Sequence, residues 1–331
     1  MATPHVFTYC VRFAAATVKP NSVKAESLAG WHQSQTVCDK GERVAGLGIA
    51  DYLGAMTPPT LPQASDLPAS GSVLGVDVGF SQTRRSSAVC RLDWNAEQVS
   101  WTIQRFRAIP AEQQATIAVV AGQVQLQAAA LDGPLRAGFD VIGRYRTAER
   151  MLTRRLGAKI GKPGQASVPI GRQLNAAAND CANIVLKQGH LAPAMHEIRI
   201  DDRCIAEAFP SAFLGVLLAD PVAVAARRKD RSDTFYRHLA ENGALVRLVN
   251  VLLPRRRLSV PFESVTKHDD RAALICALTA LCVATGDFTA VGDADGWIIL
   301  PPRRIVQDWA WQDLAANTEN EVSGCLYQSL P

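Results

Sequence analysis

Residues 73–79, VLGVDVG, set one carboxylate inside an apolar strand that stops at a glycine. A run this short and this rich in valine reads as a buried strand. A carboxylate between Val76 and Val78 is expensive to bury without a partner, so Asp77 needs a reason to be there. The following segments define its setting. SSAVCRLDW (86–94) and VSWTIQRFRAI (99–109) have strand character, with a turn near Asn95. Together with the first strand they read as an antiparallel meander. PAEQQATIAVVAG (110–122) opens with Pro and Glu, closes at Gly and reads as a helix. VQLQAAALDGPL (124–135) is then a strand that ends at Asp132 before a Gly-Pro turn. Three strands, a helix and a strand predict an α/β domain.

The domain is expected over residues 73–331. The first 72 residues differ from it. They lack a sustained helical or strand period, and Met56–Ser72 is rich in Pro, Ser and Ala, so the segment reads as a disordered leader. Met56 is an alternative start. The N-terminus is a poor secretory signal, and no apolar run reaches the roughly 18 residues of a spanning helix. The eight cysteines form no CxxC pair and stand at no metal-finger spacing from histidine. These features predict a cytoplasmic protein without a membrane partner.

A helical and loop insertion is expected near residues 143–195. YRTAERMLTRRLG (145–157) reads as a basic helix, 158–173 as a long loop and 174–189 as a helix. A further strand ends at Glu207, and Ser211 is placed as the cap of a short helix through Leu218. Residues 232–243 form an amphipathic helix, HDDRAALICALTALCVATG (268–286) the clearest helix, and 288–302 a hairpin with an Asp-Gly turn.

Acids stand at the ends of these elements: Asp77 and Asp132 on strands, Glu207 on a later strand, Asp269 and Asp270 at the start of the long helix. In an open α/β sheet the carboxyl ends of strands collect ligands. Carboxylates that converge there repel one another, and Mg²⁺ or Mn²⁺ relieves that repulsion. A metal held in this way can stabilise a phosphoryl displacement. Each acid also has a plain role open to it. Asp269 and Asp270 favour a helix dipole, Asp132 can set a turn, and Glu207 can pair with an arginine.

Arginines and lysines offer phosphate contacts. Arg84 follows the first strand. Arg144, Arg146, Arg150, Arg154 and Arg155 crowd the basic helix, recurring partly at three- and four-residue spacing. Lys162 and Arg172 follow, and His268 adjoins the acidic pair. Runs at 227–231 and 255–257 read equally as solvated faces. The net charge of +4 permits an anionic partner without demanding one.

The stretches VLGVDVGFS, LDGPL, EAFPSAF and HDDRAALICALTAL, with the closing GDADGWIILPP, resemble the family called domain of unknown function 429. That family is regarded as a predicted nuclease with a ribonuclease H-like fold. The likeness spans roughly residues 73–302 and implies a mixed five-stranded sheet, its first three strands antiparallel, covered by flanking helices. It implies that Asp77 is the first-strand aspartate, Asp132 the acid of the D-G/A-P-L motif and Glu207 the acid of an E-x-x-P motif. The last helix is similar to that of Holliday-junction resolvases, with the pattern D-x-x-D-A-L. Aligned on Ala273 and Leu274, Asp269 is the first acid and Ala272 stands where the second belongs. Asp270 or Glu207 is the substitute at hand.

The resemblance implies Mg²⁺- or Mn²⁺-dependent hydrolysis of DNA or RNA. Asp77, Asp132 and Asp269 are then the metal ligands, Glu207 and Asp270 completing the catalytic set. Arg84, Arg150, Arg154, Lys162, Arg172 and His268 are the expected substrate contacts. Two alternatives stay open: a non-catalytic nucleic-acid-binding protein on the same fold, favoured by Ala272, and an actin-like phosphotransferase or ATPase, since a strand ending in DVG also opens phosphate-binding hairpins.

Overall fold

The computed structural model describes residues 67–198, 200–225, 231–322 and 325–329. The expected leader up to residue 66, with Met56, Cys10 and Cys38, lies outside the described residues, as do Arg227, Arg228 and Lys229.

The chain is α/β, built on one mixed sheet. Its first strands are β1 (Gly71–Asp77), β2 (Ser87–Trp94) and β3 (Gln98–Phe106), an antiparallel meander as the sequence predicts. Asn95 Oδ1 accepts from the amides of Glu97 and Gln98, both at 2.8 Å, and so fixes the β2–β3 turn. The first strand starts two residues earlier than expected. Ser72 Oγ donates to Asp93 at 2.5 Å, and Trp94 Nε1 donates back to Pro68 O at 3.1 Å.

Helix α1 (Pro110–Ala121) leads to β4 (Ala128–Asp132), which runs parallel to β1. Helices α2 (Thr147–Thr153), α3 (Gly157–Ile160) and α4 (Pro169–Gln188) fill the region expected as an insertion. The loop expected over 158–173 is therefore shorter, because Pro169 starts α4 at a position where proline is favourable. Strand β5 (Ile205–Ala208) pairs parallel with β4.

Helix α5 (Pro210–Gly215) follows with Phe209 as its N-cap. Ser211 lies inside the helix, and its hydroxyl donates to Ile160 O at 2.5 Å, so it is not the cap. Then come α6 (Pro221–Val224), α7 (Arg231–Glu241), α8 (Ala244–Leu252), β6 (Arg257–Leu258) and the long α9 (His268–Thr285). The hairpin β7 (Thr289–Asp293) and β8 (Gly296–Leu300), helix α10 (Asp308–Thr318) and β9 (Leu326–Gln328) complete the chain.

The sheet order is β6-β3-β2-β1-β4-β5-β8-β7-β9. The expectation of five strands is thus corrected to nine among the described residues. The four extra strands are β6, two residues beside β3, and β8, β7 and β9 beyond β5. The hairpin joins the main sheet because β8 pairs parallel with β5, a long-range contact that local patterning does not encode.

Two cores lie on opposite faces of the sheet. Val73 of β1, Ala128 and Ala130 of β4 and Ala206 of β5 pack with α9 on one face. Leu74, Val76, Leu131 and Ile205 pack with α1 and α4 on the other. The period-two alternation of strands accounts for this sorting. A third cluster joins α2, the hairpin and α10 through Met151, Val291, Ile298 and Leu314. Among the described residues no helix is long and apolar enough to cross a membrane.

Candidate functional site

Asp77 and Asp132 are Cα partners at the carboxyl ends of two parallel neighbours, β1 and β4. Alternation puts both on the α9 face, since Asp77 follows Val73 and Gly75 by steps of two and Asp132 follows Ala128 and Ala130 likewise. Gly75 makes the close approach of α9 possible. A Cβ at Gly75 would collide with the backbone N of Ala277 and the backbone O of Ala273. Strand and helix therefore touch main chain to main chain, which carries the first turn of α9 toward Asp77.

That turn carries Asp269 and Asp270. Burial pushes the Asp77 carboxyl well above the usual carboxylate range, and the charges of Asp132, Asp269 and Asp270 push in the same direction. Burial and then the Glu207 charge raise Asp132 to about 7, opposed by His268. Burial also raises Asp270, against the pull of Arg105 and Lys267. Asp132, Asp269 and Asp270 thus lie within electrostatic reach of Asp77 at this strand-end edge.

Their partners are sparse. Among the described residues, the Asp77, Asp132 and Asp269 carboxylates have neither a hydrogen bond nor an ion pair. Asp270 Oδ1 is buried with no hydrogen bond, approached only by Arg105 Nε at 3.4 Å. Arg105 belongs to the same row of the sheet, since Asp77 pairs with Ala88 and Ala88 with Arg105. Sequence reading passed over Arg105, although the turn at Asn95 fixes its register.

Glu207 stands apart from this group. It pairs with Leu131, one residue before Asp132, so its side chain points to the opposite face of the sheet. There Arg146 holds it in a fork, Nη2 to Oε1 at 2.6 Å and Nη1 to Oε2 at 3.0 Å. The amide of Leu135 also donates to it at 3.2 Å. Arg146 Nε meets Glu149 at 2.9 Å, and all three side chains are buried. Of the plain roles open to these acids, the pairing of Glu207 with an arginine is realised.

The expected cations fall into two sets. Arg150 and Arg154 both bind Glu321, at 2.6 and 2.9 Å, which ties α2 to the segment after α10. Arg172 donates to the backbone oxygens of Ser167 and Asp140 at 3.1 and 3.2 Å. Arg84 and Lys162 are exposed, and their charged ends meet no partner among the described residues. His268 Nδ1 lies 3.2 Å from Asp233 Oδ1 and close enough to Asp132 to lower its pKa. Glu321 sits more than 160 residues from its arginines, so no local signal could have paired them.

An all-carboxylate donor set suits a hard divalent cation, and the buried Asp270 Oδ1 offers an unused acceptor. Among the described residues no three His, Cys, Asp or Glu side chains form a ready-made metal-binding group, so the carboxylates would have to close on the ion. A cleft of about 340 Å³ elsewhere, lined by Leu217, Arg247, Leu248, Arg303, Arg304 and Gln307, includes none of these acids. Comparison of the chain with protein-family models, with curated proteins and with solved structures gave no match in any of the three.

Proposed function

We propose that this chain hydrolyses phosphodiester bonds in nucleic acid with a divalent cation, on a ribonuclease H-like sheet. One observation carries the reading: Asp77 and Asp132 are paired at the carboxyl ends of parallel strands, beside a helix start bearing Asp269 and Asp270. The antiparallel first three strands, followed by parallel β4 and β5, support the fold part of the proposal. Asp77, Asp132 and Asp269 would hold Mg²⁺ or Mn²⁺, with Asp270 beside them. The ion would supply charge neutralisation and a water activated for attack.

The chain's own residues prepare for that ion. Burial and neighbouring carboxylates raise both Asp77 and Asp132, so a cation placed between them would relieve that repulsion. Arg105 steadies Asp270 from β3. His268, tethered through Nδ1 to Asp233, keeps its other nitrogen for a phosphate or a water. Glu207, neutralised by Arg146, serves the architecture of the site and not the ion.

The test uses labelled DNA and RNA oligonucleotides with Mg²⁺ or Mn²⁺. Cleavage is expected with metal and not in chelator, and Asp77→Asn and Asp132→Asn should each slow it about a hundredfold or more. Products that appear equally with Asp77→Asn would refute the assignment.

Ala272 supports a second reading. It is buried in the first turns of α9 where a second acid was expected, and no three acids are preassembled. A non-catalytic nucleic-acid-binding protein would bind oligonucleotides in a salt-dependent way, retain that binding in Asp77→Asn and yield no product.

A further inference from the structure

The two loops that leave Asp77 and Asp132 share a composition the acids do not explain. Residues 78–86 and 133–146 carry five arginines against one acid, Asp140. Two of the five are neutralised, Arg85 by Glu112 and Arg146 by Glu207 and Glu149. Arg84 and Arg136 are exposed, and their guanidinium groups meet no partner among the described residues.

Apolar side chains accompany them. Phe80, three residues beyond Asp77, is 41% exposed, and Val141 and Ile142 are 64% and 68% exposed. The Arg144 guanidinium lies over the Phe139 ring, 4.0 Å from its centroid.

Both loops are held in place by hydrogen bonds. The Gly79 amide donates to Ser87 Oγ at 3.0 Å, and the Ala108 amide donates to Ser81 O at 2.9 Å. Asn175 Nδ2 donates to Pro134 O at 2.6 Å, and Ser167 Oγ donates to Arg144 O at 3.0 Å. A phenyl ring on an anchored loop loses little freedom when a planar ligand stacks on it.

We infer that these loops form a rim for unpaired nucleotides, with Phe80 and the Arg144–Phe139 stack as base platforms and Arg84 and Arg136 as phosphate contacts. Bases of a duplex are already stacked and offer such a rim only phosphates. A single strand offers both phosphates and base faces. Because β1 and β4 are neighbours, a strand lying across the two loops passes the paired aspartates. The inference rests on the nucleic-acid reading above and narrows it to single-stranded substrate.

The test is fluorescence polarisation of the full chain with a mixed-sequence 20-mer as single-stranded DNA, single-stranded RNA and duplex DNA, with EDTA throughout. Both single strands should bind at least about tenfold tighter than the duplex. Phe80→Ala should weaken single-strand binding about five- to tenfold, while Phe80→Trp restores it. Arg84→Ala and Arg136→Ala should each flatten the dependence of affinity on salt.

Duplex bound as tightly as single strand, no response to Phe80→Ala, or no binding of any oligonucleotide would each overturn the inference. Chelator separates this outcome from catalysis. Strand preference that persists where metal brings no cleavage would sink the hydrolysis reading and leave the rim standing.

Discussion

The Asp132 carboxyl, with its pKa at about 7, binds a proton in the folded chain over a range where the unfolded chain has lost it. Its contribution to stability is full below the ordinary carboxylate pKa, declines as pH rises and is gone once pH passes the folded value. Asp77 shifts in the same direction, so the pair makes the fold less stable at pH 8 than at pH 5. Asp132→Asn should therefore raise the melting temperature at pH 8 by about 2–5 °C and change it little at pH 4. Circular-dichroism melts at the two pH values decide this, and an equal effect at both would refute it. At this scale the sequence was informative where an acid ended an apolar strand, as at Asp77 and Asp132. It was silent on Arg105, and on which arginine would meet Glu207, because a partner on a distant helix or 61 residues away leaves no local trace.

The contact between β1 and α9 is set by a residue without a side chain. Gly75→Val has no space to occupy, because the obstacle is the helix backbone and not a flexible side-chain tip. The variant should lose about 3 kcal/mol or more of stability, read by urea denaturation. A Gly75→Val protein as stable as the parent would show that α9 can stand off the sheet. Helix α9 itself was legible from its long apolar run between an acidic start and Gly286. Helices α8 and α10 were not. Helix α8 follows α7 after a two-residue break at Asn242 and Gly243, and α10 buries only Ala310, Leu314 and Asn317. Its place depends on tertiary bonds such as Asn317 Nδ2 to Met151 O at 2.7 Å.

The whole molecule extends its sheet well past the five expected strands. The meander and β4 could be read from order and composition. The hairpin of β7 and β8 could be read too, but β6 and β9 could not, since they have two and three residues and gain their identity only from the neighbour they pair with. The C-terminal segment closes the third core through Ala310, Leu314 and Cys325 against Val291 and Ile298, and Glu321 anchors α2. Ending the chain after Gln307 would uncover that core. The truncated protein should melt about 10 °C or more lower, or aggregate on expression. Unchanged solubility and melting would mean that the segment is an accessory.

The offset between Asp132 and Glu207 makes the sheet a partition only one peptide layer thick. On one side a guanidinium answers the acid permanently. On the other, the carboxylates of Asp77 and Asp132 have no ion pair among the described residues. A single-residue insertion before Glu207 in β5 would carry its charge through the wall, stranding Arg146 on one side and adding a further repelling carboxylate on the other.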